Sequence, residues 1–277
     1  VLMLLGKHGS PEQAEALREQ MGLNKSYFEQ YFDVVRSAFT FDFGRSWTMK
    51  QEISGILMSK AIPSLTLSLP AFFISTVTSI FFAIAVAFYR GKGIDLFIRI
   101  TCIAMMSISS LVYILVFQYL FAYRWGLFEI SGFEFGFPNF IYYIMLPVII
   151  WVVLSLGPDI RFYRTLILDE IYQDYVRTAK AKGLSKNKIM FKHVLRNAMI
   201  PIVTYTVVQL PFLLLGALLL ESFFSIPGLG SLTIDALNSS DFPVLKAVTI
   251  ISAVAYIIFT LIQDILYTIV DPRVKLQ

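Results

Sequence analysis

The side chains with the means to do chemistry are concentrated between Leu168 and Pro201, in the run LDEIYQDYVRTAKAKGLSKNKIMFKHVLRNAMIP. Asp169, Glu170 and Asp174 stand at its start. Arg177, Lys180, Lys182, Lys192, His193 and Arg196 follow. This set suits recognition by charge rather than bond making. The sequence has no GxxxxGK(S/T) phosphate loop, no HExxH and no GxSxG. Its two histidines, His8 and His193, fall on opposite sides of a membrane in the topology derived below, so they cannot share a metal. No catalytic residue, resident cofactor or metal ligand is expected in this chain.

The elements that position these charges read as two helices broken by one glycine. Leu168, Ile171, Tyr175 and Ala179 recur at helical spacing and give the first helix an apolar face. Acids near its start and Lys180 and Lys182 near its end follow the order that the helix dipole favours. Gly183 can take the left-handed conformation that ends such a helix. Ser185 can cap the second, which runs into an apolar stretch. A plain solvated loop needs none of these devices. The spacing therefore predicts a short docked helix outside a membrane, joined to a helix within it, as the contact for a soluble partner.

The membrane itself follows from composition. Of 277 residues, 57% are hydrophobic and 15% charged, where soluble domains carry about 25% charge. Charge-free runs span 61–89, 100–123, 135–158, 197–220 and 247–263. A helix needs roughly 20 residues to cross the hydrocarbon. Four runs exceed that, and the fifth continues past Asp264 into ILYTIV. Five spanning helices are expected in an all-α, polytopic fold. The prolines within the runs, among them Pro201, are tolerated where neighbours satisfy the freed carbonyls. Ser and Thr cluster in 64–79 and give a small polar face, best suited to helix packing. Gln118 and Gln209 are explained by interhelical hydrogen bonds. The single Cys102 allows no internal disulfide and reads as a small buried hydrophobe. No Lys, Arg, Asp or Glu falls in the middle of a run, which argues against proton-driven transport.

Basic residues set the orientation. Segments 90–99, 159–197 and 271–277 hold 3, 9 and 2 Lys and Arg. The short loops 122–139 and 221–246 hold only Arg124 and Lys246. The first set is therefore cytoplasmic. Residues 1–60 then form an external, amphipathic region, and 61–277 the membrane domain, with 159–197 as its cytoplasmic coupling segment. In the external region, Ser10-Pro11-Glu12-Gln13 opens one helix that Gly22 ends. YFEQYFDVVRSAF continues as a second, and FDFGRSW is an aromatic turn. The opening VLMLL predicts a sixth, N-terminal spanning helix ahead of the sequence given, the alternative being a translocated N-terminus after signal cleavage. In the last external loop, Pro227, Gly228 and Gly230 form a tight turn bracketed by Glu221 and Asp241.

The stretch from Tyr175 to Pro201 resembles the cytoplasmic signature of ABC importer permeases. Against the general pattern of EAA, three residues, Gly, nine residues and IxLP, Gly183 aligns and only Ala179, Gly183 and Leu195 agree. Against the peptide and nickel branch the match is close. That branch opens Tyr-Val-Arg-Thr-Ala-x-Ala-Lys-Gly and closes His-x-x-Arg-Asn-Ala-x-x-Pro. Tyr175 to Gly183 and His193 to Pro201 fit position by position. FDFGRSW, ESFFSIPGLGSL, DFPV and the terminal DPR also look like that branch, in the right order over nearly the whole chain.

The resemblance implies the type I importer permease fold with six spanning helices, in the bacterial cytoplasmic membrane. It implies pairing with a second, homologous permease, two ATP-binding subunits that hold ATP and Mg, and an extracytoplasmic substrate-binding protein. Membrane lipid surrounds the chain, and nucleic acid is not an expected partner. Residues Asp174, Tyr175, Val176, Arg177, Thr178, Ala179, Lys180, Ala181, Lys182 and Gly183 are then the expected coupling contact with an ATPase. His193, Arg196, Asn197 and Pro201 support it, and Glu221, Pro227, Gly228, Gly230 and Asp241 form an external gate loop. Oligopeptides or dipeptides are the expected cargo, with nickel chelates and other small solutes as alternatives. A channel or scaffold with a lipid-binding basic loop is the alternative from another class.

Overall fold

Long apolar runs leave the backbone no partner but itself, so the chain answers with helices. The computed structural model describes residues 15, 18, 24–214 and 217–270. Among them, one isolated bridge between Arg45 and Glu52 is the only β-type pairing. Of the expected helix at 10–22 only Glu15 and Arg18 are described, both helical, and the proposed segment ahead of residue 1 and the terminal DPR lie outside the described residues.

Helix α1 (Tyr27–Thr40) opens on a capping box, with Ser26 Oγ accepting from Glu29 N at 3.3 Å and Glu29 Oε2 accepting from Ser26 N at 3.0 Å. It is the second amphipathic stretch expected from the sequence. Helix α2 (Ile53–Phe88) begins ahead of the apolar run at 61 and holds Pro63 and Pro70 without breaking. At 36 residues it is about 54 Å long, more than the hydrocarbon thickness requires. Its inward stripe of Ser64, Ser68, Ala71, Ser75, Ser79 and Ala83 is buried, and α2 packs most extensively against α6 (Met145–Ile171). Small side chains permit this close approach along the Ser and Ala stripe, whereas Thr66, Thr76 and Thr78 are only half-buried.

Two of the expected spans are not single straight helices. The run at 100–123 is divided into α3 (Gly93–Ser107) and α4 (Ser110–Phe117), the latter continued by a π-helical turn Gln118–Arg124. The two halves bend by 92° where Ile108 and Ser109 are extended. The run at 197–220 is divided into α9 (Leu195–Val208), α10 (Leu210–Leu214) and α11 (Leu218–Phe223). Among the described residues three helices, α2, α6 and α13 (Phe242–Val270), are individually long and apolar enough to cross a membrane, and the bent pair passes the same test only when its halves are taken together, as a broken span or a re-entrant loop. As expected, α13 continues past Asp264.

The remaining elements are the short α5 (Asn139–Tyr143), α7 (Asp174–Ala181), α8 (Lys186–Lys188) with its π-helical continuation Ile189–Val194, and α12 (Leu229–Asn238). Helix α3 meets α6 at Gly157, where an added Cβ would lie 3.1 Å from the Cys102 carbonyl, and Cys102 is buried there. Gln118 donates to the carbonyls of Ile130 at 3.1 Å and Phe223 at 3.2 Å. Phe73, Phe81, Phe97, Ile103 and Leu261 are exposed, as lipid-facing side chains are.

Candidate functional site

The polar segment that organises the sequence folds as two helices and a glycine joint. Helix α7 is eight residues long, with Asp174 in its first turn and Lys180 in its last. Its C-terminus is a complete Schellman motif. Leu184 N donates to Ala179 O at 3.3 Å and Gly183 N to Lys180 O at 2.9 Å, with Gly183 at φ +74°. Ser185 then caps α8, accepting from Lys188 N at 3.4 Å.

An isolated eight-residue helix does not persist in water. This one is held by its inner face. Val176 and Ala179 are buried in a cluster with Met190, Val194 and Ala198 from the following helix and with Tyr163 and Ile167 of α6. Tyr175 is half-buried, and its hydroxyl donates to Glu170 Oε2 at 2.6 Å. Burial first, and that bond second, push the phenol up to about 12, while Asn197 pulls the other way. Asp174, Arg177, Thr178, Lys180, Ala181, Lys182 and Gly183 remain exposed. The ten residues expected to act together thus divide into a face that seats the helix on its own chain and a face open to a partner. Arg177 Nη1 lies 3.2 Å from Asp174 Oδ1 on the open side. His193 is half-buried in the π-helical turn, Arg196 is exposed, and Pro201 lies inside α9.

Two further attachments carry no local sequence signal. The Arg90 guanidinium lies 4.9 Å over the Tyr172 ring, and Lys186 Nζ lies 4.2 Å over the Phe88 ring while bonding the Phe88 carbonyl. They fasten the end of α2 to both sides of α7. Nearby, Asp95 accepts from Arg164 at 3.0 Å and from Gly91 N at 3.1 Å, and it pairs with Arg99 at 3.2 Å, which ties the base of α3 to α6. Asp159 corrects one expectation. Because α6 continues unbroken to Ile171, this carboxyl lies well inside a spanning helix and is buried, 3.5 Å from Tyr205 Oη.

The loop expected to be external contains two separate knots. In the first, Glu221 is fully buried. Its Oε1 accepts from Ser64 Oγ at 2.7 Å and Ala217 N at 3.2 Å, and its Oε2 from Gly230 N at 2.7 Å and Ser231 N at 3.1 Å. Ser64 Oγ in turn accepts from Leu229 N at 2.7 Å. The carboxyl thus satisfies the free amides that open α12. Gly228 and Gly230 are required by this closeness. A Cβ on Gly228 would overlap Glu221 and Ser64, and one on Gly230 would stand 2.9 Å from the Leu218 backbone.

The second knot belongs to Asp241, so the two acids named from sequence are not brought together. Asp241 accepts from Ser46 Oγ at 2.5 Å, Thr48 N at 3.1 Å and Trp47 N at 3.2 Å. Burial alone would raise this carboxyl. The Ser46 hydroxyl and the two amides outweigh it and hold the group below the ordinary carboxylate value. A depressed carboxyl stabilises the fold above its unfolded pKa and loses that stabilisation as pH falls through the folded one. The amides of Trp47 and Thr48 are therefore expected to stay protected from hydrogen exchange at neutral pH and to lose protection only under acid. In Asp241→Ala they should lose it at every pH, by at least about tenfold, since bonds to a charged group are worth roughly 1.5–3 kcal/mol.

A search for relatives places these features in a context. Residues 79–276 match the family described as binding-protein-dependent transport system inner membrane component. The chain is 33% identical over 275 residues to the oligopeptide transport system permease protein AppB of Bacillus subtilis, covering 96% of this chain and 87% of that one. It is 35% identical over 269 residues to the dipeptide transport system permease protein DppB of Lactococcus lactis, covering 96% and 87%. It is 28% identical over 273 residues to a glutathione transport system permease protein of Escherichia coli, covering 99% and 88%.

Proposed function

Since the chain belongs to the family of binding-protein-dependent transport system inner membrane components, we propose that it moves peptides inward and that α7 is where the driving force enters. The chain is a multi-pass bacterial inner-membrane protein and a permease subunit of an ABC importer. The peptide cargo is inferred from relatives named for oligopeptides, dipeptides and glutathione. The expected partners are a second, homologous permease, two ATPase subunits and an external binding protein that selects the cargo. ATP hydrolysis belongs to the ATPase subunits.

The observation that carries the coupling role is the two-sided character of α7. Its inner face is seated on α6 and on the helix leading into α9, and its outer face is free and charged. When ATP draws the ATPase subunits together, a helix lodged in one of them moves with its host. The capped joint at Gly183 and Ser185 passes that displacement to α9, and the cations over Tyr172 and Phe88 pass it to α2. Nucleotide favours one orientation of the pathway because it binds the two states differently.

The outer face supplies the test, because changes there leave the seat intact. Arg177→Glu with Ala181→Trp is expected to cut retention of the ATPase subunits on purification by about tenfold or more, equivalent to roughly 1.4 kcal/mol. Peptide uptake should fall with it, while the amount of inserted permease stays unchanged. Undiminished retention and uptake would exclude α7 as the contact.

A further inference from the structure

We propose that the cavity behind α7 is a binding site for the phosphate-bearing headgroup of an anionic phospholipid of the cytoplasmic leaflet. The cavity measures about 280 Å³ and lies between the end of α2, the inner side of α7 and the start of the next helix. Arg90, Lys180 and Lys186 stand around it, over an apolar floor that includes Val176, Ile189 and Met190. Among the described residues no carboxylate lines it. Like charges gathered in one recess repel each other, and an anion among them reverses the sign of that interaction.

The chain treats a neighbouring group of cations differently. Arg99 and Arg164 are neutralised internally by Asp95. Around the cavity, Arg90 and Lys186 are instead steadied by the rings of Tyr172 and Phe88, which orient a cation without cancelling its charge. Their positive ends therefore remain available to an outside anion.

The location decides the kind of anion. The cavity adjoins Phe88, the last residue of a spanning helix, on the side the basic residues mark as cytoplasmic. Basic recesses between helices at that level take anionic lipid headgroups. The volume admits a headgroup but not the acyl chains, which would lie along the outside of the bundle.

The test uses the importer assembled with its partner subunits, in nanodiscs of phosphatidylcholine with phosphatidylglycerol added. Retained lipid is read by native mass spectrometry. The wild-type importer is expected to retain phosphatidylglycerol over phosphatidylcholine. Arg90→Gln with Lys180→Gln should lower that preference about tenfold, and Arg90→Lys with Lys180→Arg should restore it. Arg90→Lys with Lys180→Arg keeps the charge while altering the contact over Tyr172 and the outer face of α7, so a restored preference assigns the loss to charge, and a preference that stays low overturns the proposal. Equal preference in the wild type and the Gln variant would overturn the proposal. So would displacement of the lipid by inorganic phosphate, which would assign the recess to a soluble anion. Lipid retention requires neither uptake nor ATP turnover, so its failure is separable from failure of the transport reading.

Discussion

Replacing Glu221 with alanine is expected to abolish uptake and to lower the stability of the assembled importer by about 3 kcal/mol or more. The reason is the number of groups left behind. Three amides, of Ala217, Gly230 and Ser231, and the Ser64 hydroxyl would lose their acceptor at a buried site. A buried donor without a partner costs roughly 1–3 kcal/mol, and the packed surroundings give water little room to substitute. Glutamine should not rescue. In place of Oε2 its NH2 would face two N–H donors, and in place of Oε1 it would still face the Ala217 N–H beside the Ser64 hydroxyl. Gly230→Ala should imitate the loss from the opposite side, since its methyl meets the Leu218 backbone, which has no flexible end to withdraw. Thermal unfolding of the solubilised complex measures the effect. Unchanged midpoints for Glu221→Ala and Gly230→Ala would mean that this knot does not support the fold.

The second large effect is expected at Ala179. This side chain is buried beneath α7, and tryptophan there must push the helix off its seat or force its neighbours from their rotamers, at a cost of about 1–3 kcal/mol. Uptake should fall more than about tenfold while the spans still insert, because the damage lies outside them. Gly183 provides the control. Nothing stands within 4 Å of a Cβ built there, so any effect of substitution comes from the backbone at φ +74°. Asparagine, which tolerates the left-handed region, should keep most of the uptake, and valine should lose it. Stimulation of ATP turnover by loaded binding protein, measured beside uptake, separates a misplaced helix from an unfolded one. Normal uptake by Ala179→Trp would show that the inner face transmits nothing.

Gly183 and Ser185 were readable from the sequence because a Schellman turn and an N-cap are local. All their partners lie within six residues. The amphipathic course of α1 and the packing face of α2 were readable for the same reason, through periodicity. The partner of Glu221 was not, since Ser64 lies 157 residues away and nothing near either residue names the other. Hydropathy also misjudged shape. The run at 100–123 is apolar throughout, yet two extended residues at its centre turn it by 92°. Apolarity reports the solvent a segment prefers and carries no information on whether it is straight. Asp159 was placed at a membrane boundary because a charge ended the run, although the helix continued and buried it. The cations over Tyr172 and Phe88 join residues far apart in the chain, so they emerge only with the fold.

The bond between Ser46 and Asp241 has a consequence for biogenesis. The two residues are 195 positions apart, and a ribosome adds roughly 5–20 residues per second. The loop holding Ser46, Trp47 and Thr48 therefore waits on the order of 10–40 seconds before its acceptor is even synthesised. During that interval the loop must remain wet and unlatched, until the residue ahead of α13 fastens the loop ahead of α2.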